Sequence, residues 1–304
     1  MDGKKEELMT RIQELKKSRQ AVILAHNYQI GEVQDAADFV GDSFELSRTA
    51  ANLDAAVIVF CGVTFMAETA AVLAPDKIVL LPETMAGCPM ADMATVDEVR
   101  RKRAEHPGAA VVTYVNTSAA VKAESDICVT SSNALNVVNS LDAEEILFIP
   151  DKNLGGNIAS QTDKRIILWD GYCPAHDNIS IQDVAAAREA HPDAVVIVHP
   201  ECRREVVKAA DYALSTGAMI KFARETKHEK IIVGTEMGML YRLEKENPHK
   251  TFYLLSEKLI CPTMKMTNLE KVCIALETMQ TRVTVPAPIN DLARIPLERM
   301  LSVV

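Results

Sequence analysis

The sequence predicts an α/β protein of three three-layer αβα domains with mainly parallel sheets, related by a pseudo-threefold axis around a central site. Short β-rich apolar runs alternate with helical patterns along the whole chain, motifs recur at a fixed offset, and equivalent helices follow equivalent cysteines. Such runs read as strands buried on both faces of a parallel sheet, because crossover helices cover both sides.

Residues Lys4 to Lys17 form a helix that leads into the first strand. The expected strands are Val22–Ala25, Val57–Phe60 and Ile78–Leu81, then Val111–Tyr114, Ile146–Ile149 and Ile166–Trp169, then Val195–Val198, Ile231–Gly234 and Phe252–Leu255. Nine strands fit one large sheet, but internal repetition divides them. AVILAHN from Ala21 reappears as AVVIVHP from Ala194, an offset of 173. Asp38 and Asp211, Met66 and Met239, and Cys88 and Cys261 keep the same spacing of 173. A middle copy fits through AVVTYVN from Ala110, Asp126 and Cys173, at offsets of 89, 88 and 85 from the first. The chain therefore reads as three copies of one unit of about 85 residues. The expected domains are 1–92, 93–177 and 178–262, with 263–304 packing back on the first and contributing a further strand at Arg282–Val285. Helices Thr95–Glu105, Ser180–Ala190 and Thr267–Met279 each open on a hydroxyl residue suited to an N-cap. His106-Pro107 and His191-Pro192 stop the first two.

Lysine and arginine number 33 against 42 aspartate and glutamate, a net charge of −9 with no basic block. That argues against a dedicated nucleic-acid or membrane-surface binder. The longest apolar stretch, Ala55 to Val63, falls far short of the roughly 18 residues a bilayer span needs. The opening MDGKKEELMT lacks the apolar core expected of a signal peptide. Seven cysteines, an odd number, suit reduced thiols or metal ligands in a cytoplasmic protein.

Three of those cysteines, Cys88, Cys173 and Cys261, end equivalent loops and precede proline; Cys61, Cys128, Cys202 and Cys273 do neither, and inert buried thiols are expected there. Around a threefold axis the three loops can bring three thiolates to one point, and proline stiffens each loop. Three thiolates without a repeated histidine favour an iron–sulfur cluster over magnesium or calcium, with zinc the lesser metal option. The other reading is three buried thiols in loops kept from a duplicated ancestor. A [4Fe–4S] cluster on three protein ligands leaves one iron open as a Lewis acid.

The ends of parallel strands are where α/β units place their chemistry. Here the first strand of each unit ends in AHNY, YVN and HPE, so His26, Tyr28, Tyr114, Asn116, His199 and Glu201 are expected to converge. Three D-x4-[ST] segments place Ser43, Ser131 and Ser215-Thr216 before helical runs. Helix starts facing one cavity let an acidic protein hold anionic groups locally. Asp38, Asp126 and Asp211 are expected to serve the repeat structurally.

The segments AHNYQ (25–29), DFVGDS (38–43), GVTFMAE (62–68), CPMA (88–91), YVNT (114–117), TSSNA (130–134), DKNLG (151–155), CPAH (173–176), HPEC (199–202), STG (215–217) and GTEMGM (234–239) resemble the quinolinate synthase family from about residue 20 to 280. The resemblance implies a triangular protein of three αβα domains with a [4Fe–4S] cluster on the axis, held by Cys88, Cys173 and Cys261. It implies condensation of iminoaspartate with dihydroxyacetone phosphate to quinolinate, phosphate and water, in NAD biosynthesis. An aspartate oxidase or dehydrogenase supplies iminoaspartate in that pathway, and transient contact with such an enzyme is expected. Carried over by motif, His26, Tyr28, Tyr114, Asn116 and His176 line the substrate cavity. Glu201 is the general base or acid, with Tyr28 or Tyr114 as proton partner and His199 beside it. Ser43, Ser131, Ser215 and Thr216 hold carboxylates or phosphate. Some members carry further cysteines just after the third ligand; here CPTMKM offers no partner for a thiol switch.

Other three-cysteine iron–sulfur enzymes compete with this reading, among them hydroxymethylbutenyl diphosphate reductase, which needs external electrons, and the archaeal diphthamide-forming enzyme, which needs S-adenosylmethionine. A non-catalytic cluster-bearing sensor is the rival from another class, but it has no need of converging His, Tyr and Glu.

Overall fold

The twelve strands of the computed structural model, which describes residues 2–303, form three parallel sheets of four. The first holds β1 (Ala21–His26), β2 (Phe39–Gly41), β3 (Val57–Cys61) and β4 (Ile78–Leu80). The second holds β5 (Ala110–Tyr114), β6 (Ile127–Val129), β7 (Glu145–Ile149) and β8 (Arg165–Leu168). The third holds β9 (Val195–Val198), β10 (Tyr212–Ala213), β11 (Lys230–Gly234) and β12 (Thr251–Leu254). Each sheet runs second-first-third-fourth, so the chain repeats one topology three times. Helices cover both faces, which is why β3 and β9 are buried at every residue. Among the described residues no helix is long and apolar enough to cross a membrane.

The three aspartates hold the repeat together. Asp38, Asp126 and Asp211 accept from the amides of Ile23, Val111 and Val196 at 2.8, 2.8 and 2.7 Å. Each also meets a cation on the preceding helix: Lys16 at 2.6 Å, Arg103 at 2.7 Å and Arg188 at 2.9 Å. A strand amide left unpaired by its short edge neighbour is thereby satisfied by a charged acceptor.

These contacts also correct the sequence alignment. Ile23, Val111 and Val196 are equivalent, which makes the first-to-second offset 88 in the strands rather than 89. Tyr114 thus stands where His26 and His199 stand, and Asn116 where Tyr28 and Glu201 stand. Runs of similar apolar residues carry too little information to fix a register to one position, whereas a side-chain bond does.

Three short strands, β2, β6 and β10, were not among those read from sequence; two or three residues leave no alternation to see. Arg282 makes only an antiparallel bridge to Leu80, flanked by Leu81 N to Thr281 O at 3.0 Å and Val283 N to Val79 O at 2.9 Å. Thr95 and Ser180 cap their helices in capping boxes with Glu98 and Asp183. The third helix starts later, capped by Asn268, and spans Leu269–Thr278. It packs on the N-terminal helix and β3, while the final helix, Ala287–Ser302, lies across β6 and helices Ala119–Lys122 and Thr64–Leu73.

Candidate active site

The C-terminal ends of β1, β5 and β9 open into one cavity of about 200 Å³. His26, Tyr114 and His199 line it, and two residues further along each chain so do Tyr28, Asn116 and Glu201. In the first and third units the main chain folds back in the same way. The Tyr28 amide donates to His26 Nδ1 at 3.2 Å, and the Glu201 amide to His199 Nδ1 at 3.3 Å. Each ring accepts at Nδ1 and carries its hydrogen on Nε2, which on His199 faces Ser131 Oγ at 3.2 Å. Burial pushes both imidazoles down to about 3, so they are neutral hydrogen-bonding groups at pH 7.

Glu201 sits at the centre. It is 3% exposed. The Tyr114 hydroxyl donates to Oε1 at 2.5 Å and His176 Nδ1 lies 2.7 Å from Oε2. Burial disfavours its charge, but the imidazoles of His199 and His176 and the bonds from His176 and Tyr114 outweigh it and hold the carboxyl well below the ordinary range. Tyr28 and Tyr114 move the other way: burial, and then the Glu201 charge, push both phenols well up, so they keep their protons. The side-chain oxygen of Asn116, buried on the cavity wall, has no hydrogen-bond partner among the described residues.

Sequence reasoning passed over Thr235, in the turn after β11. Its hydroxyl lies 2.6 Å from Tyr28 Oη and 2.9 Å from His176 Nε2. GTEMGM was visible as a motif, but a buried threonine has no signature of its own. The next residue, Glu236, was also missed. It is fully buried and accepts from the Cys261 amide at 3.1 Å and from Lys265 Nζ at 2.8 Å; Lys265 also donates to the Tyr28 carbonyl at 2.6 Å. This pair, half-buried at its lysine end, ties the third cysteine loop to the first unit.

Cys88, Cys173 and Cys261 all line the cavity as free thiols, whereas Cys61, Cys128, Cys202 and Cys273 are buried. Burial pushes the Cys88 thiol up to about 12, and Cys173 is also pushed well up, first by burial and then by the Glu201 charge. The amides of Ala91 and Met90 bond the Cys88 sulfur and the His176 amide that of Cys173, each working in the opposite direction. Cys173, His176 and Glu201 have ligand atoms within 4.8 Å of one another, a group able to hold a metal ion.

Ser43 and Thr216 are the first residues of helices Ser43–Asn52 and Thr216–Glu225, and Ser131 precedes helix Ala134–Ser140; all three line the cavity. Ser215 is absent from that lining. Its hydroxyl caps its own helix through the Ala218 amide and lies 3.2 Å from Ser132 Oγ, which donates to Asp42 Oδ2 at 2.8 Å. Asp42 and Ser132, which the sequence reading did not single out, take places in the wall.

The profile of the family described as Quinolinate synthetase A protein matches residues 10–302. A quinolinate synthase of Dehalococcoides mccartyi strain BAV1 is 58% identical over 294 residues, 97% of this chain and 97% of that one. A quinolinate synthase of Methanosarcina barkeri is 55% identical over 297 residues, 98% of each chain. One from Thermodesulfovibrio yellowstonii is 53% identical over 291 residues, 95% of this chain and 96% of its own. With matches of this length and identity added to the threefold fold and its shared cavity, the chain belongs to the quinolinate synthetase A family.

Proposed function

We propose that the protein is a quinolinate synthase, condensing iminoaspartate with dihydroxyacetone phosphate to give quinolinate, phosphate and water in NAD biosynthesis. One observation carries the reading: a single cavity receives a carboxylate, two tyrosine hydroxyls and three cysteine thiols from all three units. Bond formation, phosphate loss, ring closure and dehydration need acid–base groups held together around one small substrate pair. The units proposed as domains are 1–92, 93–177 and 178–262, and the axis between them is where these groups meet.

Cys88, Cys173 and Cys261 are the proposed ligands of a [4Fe–4S] cluster, and the donor set fits one. All three are unpaired thiols on the cavity, and main-chain amides bond the sulfurs of Cys88 and Cys173, as thiolates of iron–sulfur sites require. A lone zinc on Cys173, His176 and Glu201 suits the geometry less well. His176 Nδ1 and Glu201 Oε2 stand 2.7 Å apart, a hydrogen bond. Two ligands of one tetrahedral zinc would stand roughly 3.4 Å apart. When bound, such a cluster supplies an open iron as a Lewis acid for a hydroxyl or carboxylate oxygen.

The chain's own residues supply the rest. Glu201, ionised and out of water, is the general base, and it returns protons as an acid through Tyr114. Tyr28 faces the other side of the substrate as hydroxyl partner. His26 and His199 donate from Nε2 without adding charge, and the free Asn116 oxygen accepts from a substrate N–H or O–H. Ser43, Ser131 and Thr216, with the amides of adjoining helix starts, hold carboxylates or phosphate, and Ser215 supports them from behind. Phe65, Met66, Met90 and Met264 keep the cavity dry. We place the protein in the cytoplasm, where its seven free thiols would persist, with iminoaspartate passed from an aspartate oxidase or dehydrogenase.

The test is an anaerobic assay of the purified protein with iminoaspartate and dihydroxyacetone phosphate, without added reductant or S-adenosylmethionine. Quinolinate formation is expected, because the reaction is redox-neutral overall. Absence of product, with turnover of a diphosphate substrate only when electrons are supplied, would replace this reading by the reductase one.

A further inference from the structure

In each unit the main-chain carbonyls on either side of the second cavity residue of the strand-end turn are satisfied, but by different donors. In the first unit they flank Tyr28, and Gln34 Nε2 donates to the Asn27 carbonyl at 3.1 Å and the Gln29 carbonyl at 2.8 Å. In the second they flank Asn116. There the Thr117 amide turns back on the Val115 carbonyl at 2.8 Å, and Lys122 Nζ donates to the Thr117 carbonyl. In the third they flank Glu201, and the donor is Asn157. Its Nδ2 donates to the Pro200 carbonyl at 2.8 Å and to the Cys202 carbonyl at 3.0 Å. Facing two carbonyl oxygens, the amide can present only its nitrogen end, whose two hydrogens meet two acceptors. Among the described residues no main-chain amide bonds either of those carbonyls.

The repeat shows what is unusual about the third turn. Gln34 and Lys122 are equivalent, each four places before its repeat aspartate, on helices Gly31–Ala36 and Ala119–Lys122. The third copy has Val207 at that place, on helix Arg204–Ala209, and valine has no hydrogen to donate. Asn157 comes instead from helix Lys152–Ala159 of the second unit, the helix that the DKNLG segment opens. It is buried, as Gln34 and Lys122 are. Two copies hold this turn from within, whereas the copy that carries the carboxylate is held by its neighbour. Tyr114, which donates to Glu201 Oε1 at 2.5 Å, belongs to that same neighbour.

We propose, on the basis of the quinolinate synthase reading, that Asn157 is a positioning residue for Glu201. By clamping the carbonyls before and after it, the second unit fixes where the carboxylate of the third meets the Tyr114 hydroxyl. The base and its proton partner are thereby set from one unit. Without the clamp two buried carbonyls lose their donor, the turn shifts to find others, and Glu201 moves out of line with Tyr114.

The experiment compares wild type, Asn157→Leu, Glu201→Gln and the Asn157→Leu/Glu201→Gln double variant in the anaerobic assay, with iron content measured for each. Leucine nearly keeps the shape and removes both donors. Asn157→Leu is expected to lose roughly 10- to 100-fold in kcat, with KM within about twofold and iron unchanged. Adding it to Glu201→Gln should cost less than about threefold more, because the group it positions is already gone. An undiminished kcat, a loss that follows a loss of iron, or losses that multiply in the double variant would each overturn the proposal. Should the leucine variant fail to fold, Asn157→Asp, which keeps the shape and lacks both donors, takes its place with the same expectations. Crystal structures of wild type and variant give a reading apart from turnover. A Glu201 carboxylate displaced by more than about 0.5 Å supports the clamp, and an unmoved one overturns it. A wild type that makes no quinolinate refutes the functional reading instead, and the displacement then judges the Asn157 clamp separately.

Discussion

The two seams that the first unit makes with its neighbours are built from opposite materials. Against the second unit it shares one apolar core, in which Leu24, Phe60 and Phe65 join Val112, Val115 and Ile127, and the final helix adds Ala293, Leu297 and Met300. Against the third unit the contacts are polar. Arg242 donates to Asn27 Oδ1 and to the Val40 carbonyl, both at 2.7 Å, Tyr241 donates to Asp35 at 2.6 Å, and Asn27 donates to Thr216 at 3.1 Å. Close approach there depends on glycine: a Cβ on Gly31 would meet the Tyr241 ring at 2.5 Å, and one on Gly238 the Tyr28 carbonyl oxygen at 2.5 Å. Parting an apolar seam exposes hydrocarbon to water, whereas parted polar groups exchange their partners for water. The seam with the third unit is the cheaper one to open, and Tyr28, Thr216, Glu236 and Cys261, which lie along it, are cavity residues. The firm seam holds the scaffold and the soft one borders the chemistry.

The sharpest break removes what the seams enclose. Replacing Cys88, Cys173 or Cys261 by Ala is expected to abolish the proposed cluster and with it turnover. Iron analysis checks this, and a variant that keeps its full iron would leave the ligand set. Next, Glu201→Gln should retain iron and fold while kcat falls about 10²- to 10⁴-fold, since the turn does not need the charge and proton transfer does. Activity near that of wild type would remove Glu201 as the base.

Smaller effects separate the seams themselves. Leu297→Ala, at a fully buried position of the apolar seam, should cost about 2–5 kcal/mol in denaturant melts. Arg242→Ala, at the polar seam, should cost about 1–2 kcal/mol, because Asn27 and the Val40 carbonyl regain water and Glu246, 2.7 Å from Nε, keeps its pairing with Arg224. An arginine variant as damaging as the leucine one would erase the distinction. The smallest effect is a pH dependence. Burial works against the Asp35 charge, but bonds from Lys245 and Tyr241 prevail and lower its pKa in the folded protein. Its contribution is therefore present above the unfolded value near 4 and is lost as pH falls through the lower folded value. Melts of wild type and Asp35→Asn should differ by less than about 1 kcal/mol at pH 7 and converge below about pH 4. A gap that widens in acid would contradict the assignment.

Much of this arrangement was legible in the sequence, because duplication wrote it three times. Recurrence pointed to the cysteine loops, the aspartates and the strand ends, where a single copy would have been ambiguous. What escaped lacks a repeated chemical signal. The one-residue register error arose within apolar runs whose residues are interchangeable to the eye. Thr235 has glycine and proline as its counterparts, Gly62 and Pro150, so repetition hid it rather than exposing it. Ser215 was chosen and Ser132, next to Ser131, was not, yet of the two only Ser132 lines the cavity; backbone direction alone decides which hydroxyl faces the cavity and which caps a helix. The pairing of Lys265 with Glu236 joins the third copy and the segment that follows it to the first unit, a tertiary relation that no local pattern encodes.

The central claim is that three equivalent loops bring three thiolates to one cluster at the meeting point of the units. The most direct measurement is iron and acid-labile sulfide per chain in protein purified without oxygen. About four of each are expected. Neither element, or a single zinc in their place, even after reconstitution with iron and sulfide, would contradict it.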